Sequence, residues 1–191
     1  MKRRTGWSML LAAVLALQPA MAAMAADVGH YVLGDTRAKT PGKVQPGLLL
    51  MGGGDRNFDA MRWFMQRAGN GHIVVLRASQ GGEIGEEFYR EVGGIQSVET
   101  FVFKDREAAT DPGILAALKR ADGIFLAGGD QSRYVRFWRG TPIADALDAH
   151  VRAGKPLGGT SAGLAMLGDY LYGAMDGGSQ ISPRALADPL G

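Results

Sequence analysis

The segment Gly158-Gly159-Thr160-Ser161-Ala162-Gly163-Leu164 has the spacing G-x-S-x-G. It follows a short candidate strand around Pro156-Leu157-Gly158 and opens the stretch Ala162 to Leu167, which is suited to begin a helix. Strand, turn and helix in that order are what a nucleophile elbow requires: a strained turn lifts the serine hydroxyl out, and Gly159 and Gly163 leave room for the strand and helix to approach each other. The helix N-terminus also points backbone N–H groups toward negative charge developing at Ser161. The spacing alone fits a plain glycine-rich turn as well, so the flanking elements carry the reading.

A second glycine turn, Ala127-Gly128-Gly129-Asp130-Gln131, also ends a predicted strand, at the edge where open α/β sheets place their sites. Its Gly128 and Gly129 N–H groups would complete an oxyanion hole with that of Ala162; the other reading is a βα turn in which Asp130 caps the next helix. A third turn, Met51-Gly52-Gly53-Gly54-Asp55, lacks the G-x-G-x-x-G spacing of a dinucleotide site and reads better as a further wall of the same pocket.

A serine needs a base to take its proton. The sequence holds three histidines, His30, His72 and His150, and no cysteine. His30 lies in a polar lead, His72 starts a predicted strand, and His150 falls on the stripe Ile143, Ala146, Leu147, His150, Val151, the buried face of a helix by its spacing. A packed or capping role is expected of each. The lack of cysteine excludes thiol nucleophiles, thiolate metal sites and disulfides, so stability has to come from a buried core.

The elements that must position these turns follow from hydrophobic patterning. The short apolar runs Leu48–Met51, Ile73–Leu76, Phe101–Phe103 and Ile124–Ala127 read as strands covered on both faces. Helices are expected at Phe58–Ala68, Gly85–Val92, Pro112–Arg120, Ser132–Arg139 and Pro142–Ala153. Asp111-Pro112 and Thr141-Pro142 each place an N-cap oxygen before a proline at the first helical position, and Gly154 follows the last helix. This alternation implies an α/β fold, a right-handed, doubly wound and mostly parallel sheet.

Residues 1–25 have the layout of a secretory signal peptide: Lys2-Arg3-Arg4, the apolar run Met9 to Leu17, then small residues with a cleavage site ending at Ala25. A periplasmic or secreted location is expected, with no membrane span after processing. Three basic and no acidic residues leave with the leader, so 21 Lys and Arg against 19 Asp and Glu becomes 18 against 19. The remainder shows no basic, aromatic-interleaved run, which argues against nucleic acid as a partner. The expected organisation is a leader over 1–25, a polar lead over 26–46 and one α/β domain over 47–191; an apolar content of 46% suits a globular protein.

Gly52-Gly53-Gly54-Asp55, Ala127-Gly128-Gly129-Asp130-Gln131 and Gly158-Gly159-Thr160-Ser161-Ala162-Gly163, each after a predicted strand, together resemble the cyanophycinase-like branch of the S51 serine peptidases. The resemblance covers residues 47 to 191 and implies a flavodoxin-like sheet as in class I glutamine amidotransferases, with serine where those enzymes use cysteine. It implies hydrolysis at aspartyl groups, either β-aspartyl-arginine linkages or N-terminal aspartyl dipeptides, without metal or other cofactor. Ser161 matches the nucleophile, Ala162 and one of Gly128 and Gly129 match the oxyanion donors, and Gln131 matches a substrate-pocket glutamine, with Asp130 beside it as a further substrate contact. The family's catalytic histidine follows the serine at a distance that passes Gly191, so the domain is expected to be incomplete at its C-terminus. Where the family has a glutamate that orients the histidine, this sequence has Asp176-Gly177-Gly178-Ser179-Gln180. Two further readings stay open on the residues: a non-catalytic relative that binds aspartyl peptides, and a serine esterase resting on G-x-S-x-G alone. The sequence leaves the oligomeric state open, a homodimer being one option.

Overall fold

The computed structural model describes residues 27–79 and 81–175. The expected leader and the segment Asp176–Gln180 lie outside them. The strands are β1 (Val28–Gly34), β2 (Leu48–Met51), β3 (His72–Arg77), β4 (Ser97–Phe103), β5 (Gly123–Leu126) and β6 (Leu157–Thr160). Between them run the helices α1 (Phe58–Arg67), α2 (Ile84–Glu86), α3 (Pro112–Arg120), α4 (Gln131–Trp138), α5 (Pro142–Arg152) and α6 (Ala162–Ala165). The single turn of α2 runs on into a π-helical segment, Glu87–Val92.

Among the described residues the strands form one sheet in the order β1-β4-β3-β5-β6-β2. All neighbours are parallel except β1 and β4. The alternation of side chains along each strand divides the core in two. Val74, Leu76, Phe101, Phe103, Ile124 and Leu126 pack with Ile114, Leu118, Tyr134, Trp138 and Ile143 of α3, α4 and α5. Ile73, Val75, Val98 and Phe125 point the other way and pack with Met61, Phe64 and Met65 of α1 and with Phe88 of the π-helical segment. The result is the expected α/β fold, a sheet between two layers of helices.

The polar lead holds an element that the patterning did not suggest. Val28–Gly34 pairs antiparallel with β4 from Val28↔Phe103 to Gly34↔Ser97. Gly29 and His30 interrupt its apolar run, and an edge strand needs only partial burial, so the usual strand signal is weak. The other edge strand, β2, is also less covered than its four apolar residues suggest: Leu49 is buried, but Leu48 and Leu50 are 54% and 53% exposed. An apolar run reports that a strand exists more reliably than that both its faces are covered.

Helix entry follows the capping rules at three places. Asn57 accepts from the Ala60 N–H, Asp111 from Ile114 and Asp130 from Ser132. Thr141 departs from expectation, because its side chain makes no cap bond. Its hydroxyl turns back and donates to the Trp138 carbonyl at 2.7 Å, satisfying one of the orphan carbonyls at the end of α4.

Candidate functional site

In a parallel sheet every strand ends at the same edge, so the loops after β2, β3, β5 and β6 are neighbours whatever their separation in sequence. Ser161 is the first residue after β6 and stands at the turn into α6. Its backbone has φ 53° and ψ −122°. A non-glycine residue in this region is held there by its surroundings, at about 1–3 kcal/mol of local strain. The holding bonds are visible: the Ser161 N–H donates to the Met51 carbonyl at 3.0 Å, and the Ser161 carbonyl accepts from Ala165 at 3.0 Å. The side chain makes no cap bond and the residue is exposed.

Gly159 and Gly163 have the close-approach role that the spacing suggests. A Cβ on Gly163 would lie 2.0 Å from the Leu126 carbonyl oxygen, and one on Gly159 would lie 2.6 Å from the Gly163 oxygen. Both neighbours are backbone, which cannot swing aside. The two glycines therefore let α6 sit against β5 and β6 and force the sharp turn between them.

All three glycine turns meet at Ser161. A Cβ on Gly128 would lie 3.2 Å from the Ser161 Cβ and 3.7 Å from its Oγ, and one on Gly53 would lie 3.8 Å from that Oγ. Gly129, with φ 151°, turns toward Ser79 instead: a Cβ there would meet the Ser79 hydroxyl at 2.1 Å. The next N–H, that of Asp130, donates to Ser79 Oγ at 3.2 Å. Ala162 is buried at the first position of α6, where an N–H has no acceptor within its helix. Asp130 caps α4 by accepting from Ser132 at 2.9 Å, and this hydrogen bonding to Ser132 holds its carboxyl below the usual range. Gln131 is the first residue of α4 and half-buried.

Four residues at this edge had not been singled out from sequence. Ser79 follows β3 and supports the second glycine turn. Thr160 donates its hydroxyl to the Gly52 carbonyl at 2.8 Å, tying the first turn to the third. Arg56 bonds Glu87 at 2.7 Å and reaches Thr160 at 3.4 Å. Arginine directly after Gly-Gly-Gly-Asp is the signal in the sequence, since that turn reads as a wall of the pocket.

The histidines are elsewhere. His72 Nε2 donates to the Ala38 carbonyl at 2.7 Å, so its Nδ1 is left to accept from Ser97 Oγ at 2.8 Å. His150 Nε2 donates to the Pro156 carbonyl at 3.0 Å. His30 stacks on Phe101 and contacts the Glu99 carboxylate at 3.1 Å. Each has the packed or capping role expected of it. Among the described residues no three His, Asp or Glu side chains gather as a metal site.

A serine held at positive φ between a parallel strand and a helix, with two glycine turns against it, defines a class: an α/β protein with a nucleophile-elbow geometry at the carboxyl edge of its sheet. Comparison with known sequences gives the family. The profile of Peptidase family S51 matches residues 48–182. The chain is 31% identical over 161 residues to the cyanophycinase of Trichormus variabilis, covering 78% of this chain and 53% of that protein. It is 33% identical over 153 residues to the cyanophycinase of Synechococcus elongatus, covering 74% and 47%. Among solved structures, a peptidase from an acI-B1 actinobacterium superposes with a TM-score of 0.49 and 18% identity over 65% of this chain and 56% of that one. This chain belongs to peptidase family S51. It spans about half the length of these curated relatives.

Proposed function

We propose that the protein is a serine-type peptidase that hydrolyses aspartyl or β-aspartyl peptide bonds, with Ser161 as nucleophile. The observation that carries the reading is the strained, exposed Ser161 at the point where all three glycine turns meet. In this mechanism the Ser161 hydroxyl attacks the scissile carbonyl as a base removes its proton. The resulting oxyanion accepts from the N–H of Ala162 and from one N–H of the Gly128-Gly129 pair; Gly128, the nearer to Ser161, is the better placed. Gln131 contacts the substrate, and Asp130 orients that contact through its cap on α4. Cyanophycinases among the relatives support a substrate of the aspartyl class.

The base is proposed to come from outside residues 27–175, because His30, His72 and His150 are all engaged away from Ser161. That same fact favours a second reading, a relative that binds aspartyl peptides without cleaving them. The family match is to a peptidase, which gives the esterase reading no support. Export is proposed from residues 1–25 alone; an intact Met1 on the cell-derived protein, read by mass spectrometry, would refute it.

The test of the nucleophile uses the full-length protein and a fluorophosphonate probe. Covalent labelling at Ser161, abolished in Ser161→Ala without a change in melting temperature, is the expected result. Loss of a triad member costs about 10⁴-fold or more in turnover. Hydrolysis retained by Ser161→Ala would point to another nucleophile. Peptide binding with neither labelling nor hydrolysis would favour the second reading.

A further inference from the structure

Arg56 ends the first glycine turn, and its surroundings are unlike those of a surface arginine. Its Nε donates to the Glu87 carboxylate at 2.7 Å, and its Nη1 reaches Thr160 Oγ1 at 3.4 Å. Thr160 immediately precedes Ser161 and is fully buried. The guanidinium therefore reaches the residue that precedes Ser161 in sequence, and its side chain is 32% exposed.

Three details give this pair a purpose beyond holding a loop. Glu87 opens the π-helical segment Glu87–Val92, a rare backbone form that recurs at functional sites. The two bonds engage Nε and Nη1, while Nη2 makes no bond among the described residues. A guanidinium offers a fork of donors, so part of it stays available to a ligand. A second arginine, Arg77, lies buried at the same edge; burial lowers its pKa, and Arg56 adds to that lowering while Glu83 and Glu87 oppose it. The charges of Arg56, Glu83 and Glu87, like Tyr134, are thus near enough to be felt at Arg77.

We propose that Arg56, oriented by Glu87, is a specificity-determining residue that takes a carboxylate of the substrate next to the bond under attack. The proposal rests on the reading of Ser161 as nucleophile of an aspartyl-peptide hydrolase and names the group that selects the aspartyl unit. In a β-aspartyl linkage the α-carboxylate is free and lies a few bonds from the scissile carbonyl. A guanidinium matches it with two parallel N–H donors, where an ammonium would act as a point charge. Because Glu87 already fixes the Nε edge, less side-chain freedom is lost when the carboxylate arrives. Partial burial strengthens the interaction relative to open water.

The test compares two ligands on the full-length protein: β-aspartyl-arginine, and the same dipeptide with its aspartyl α-carboxylate converted to a carboxamide. Binding is measured by titration calorimetry in the Ser161→Ala background, so the outcome does not depend on turnover. Arg56→Ala should weaken binding of the dipeptide about 10- to 100-fold, the range for a hydrogen bond to a charged group. It should leave binding of the carboxamide unchanged. Arg56→Lys, which keeps the charge without the fork, should fall between, and Glu87→Gln should weaken the dipeptide less than Arg56→Ala does. With Ser161 present, Arg56→Ala should raise KM for the dipeptide while the fluorophosphonate labelling rate holds. Equal losses on both ligands would make Arg56 a structural tie and overturn the proposal, as would an Arg56→Ala protein that binds the dipeptide normally, or a parent that does not distinguish the two ligands. Absence of labelling at Ser161 in the parent would instead sink the nucleophile, and the binding comparison would still decide Arg56.

Discussion

The two ends of the parallel strands differ in what they leave open. At the amino-terminal end the Asp122 carboxylate accepts from the Thr40 hydroxyl at 2.6 Å and from the His72 N–H at 2.9 Å. Nearby, Lys155 donates to the Ala121 carbonyl at 2.6 Å, and His72 and His150 are paired as described. At the carboxyl end Ser161 is strained, exposed and without a hydrogen-bond partner for its hydroxyl among the described residues, and glycines take the place of packed side chains around it. One end pairs its polar groups, while the other holds strain and an open hydroxyl. The four residues of β6, roughly 13 Å at the usual rise of a strand, separate the two. A histidine that serves the first end is therefore out of reach of the second.

The contrast breaks most severely at Gly163. In Gly163→Ala the new Cβ meets the Leu126 carbonyl at 2.0 Å, so α6 has to move away from β5. Overpacking against backbone of this kind should cost about 3 kcal/mol or more, and a displacement of the turn by about 1 Å should lower Ser161 labelling about 100-fold. Chemical denaturation and probe kinetics on the full-length protein check both; normal labelling would show that the glycine is not what sets the turn.

The amino-terminal end is sharpened by pH. Burial pushes the pKa of His150 down to about 4 from 6.5. Between those values the unfolded chain binds more protons than the folded one, so stability rises with pH across the window. The contribution is complete above about pH 6.5 and is lost as pH falls toward 4, about 3 kcal/mol in all. His150→Gln should flatten the dependence of melting temperature on pH in that window. An unchanged slope would mean that His150 is not the group that titrates.

The smallest effect is the most diagnostic of strain. Ser161→Gly should stabilise the fold by about 1 kcal/mol, since glycine occupies positive φ without the Cβ clash. Ser161→Ala keeps the Cβ and should leave the denaturation midpoint where it is. A glycine variant less stable than the parent would show that Ser161 stores no strain.

The sequence went far toward this fold where one local rule decided the outcome. The run Leu48–Met51 is β2 and Pro112–Arg120 is α3, because an unbroken apolar run and an aspartate-proline cap each specify local structure without help from distant residues. Val28–Gly34 and the turn of Glu87–Val92 were not legible as an edge strand and a π-helix. The first is defined by pairing with β4, and the second by packing of Phe88 against Phe125 and by the Gly93 N–H bonding the Phe88 carbonyl five residues back. Thr141 had the right residue type for a cap and bonded backward instead, a choice that rests on where α4 happens to end.

The site divides along the same line. By itself the sequence determined the types and local spacing: a serine between two glycines at a strand-to-helix junction, and two more glycine turns after strands. Only the tertiary structure decided that a side chain at Gly53 or Gly128 would meet Ser161 while one at Gly129 would meet Ser79, that Thr160 ties the first turn to the third, and that Arg56 and Glu87 meet across thirty-one residues. Turn chemistry is written in neighbouring residues because it depends on a few backbone angles. Which turns face each other depends on strand order and register, which are set by how the whole sheet buries its two faces.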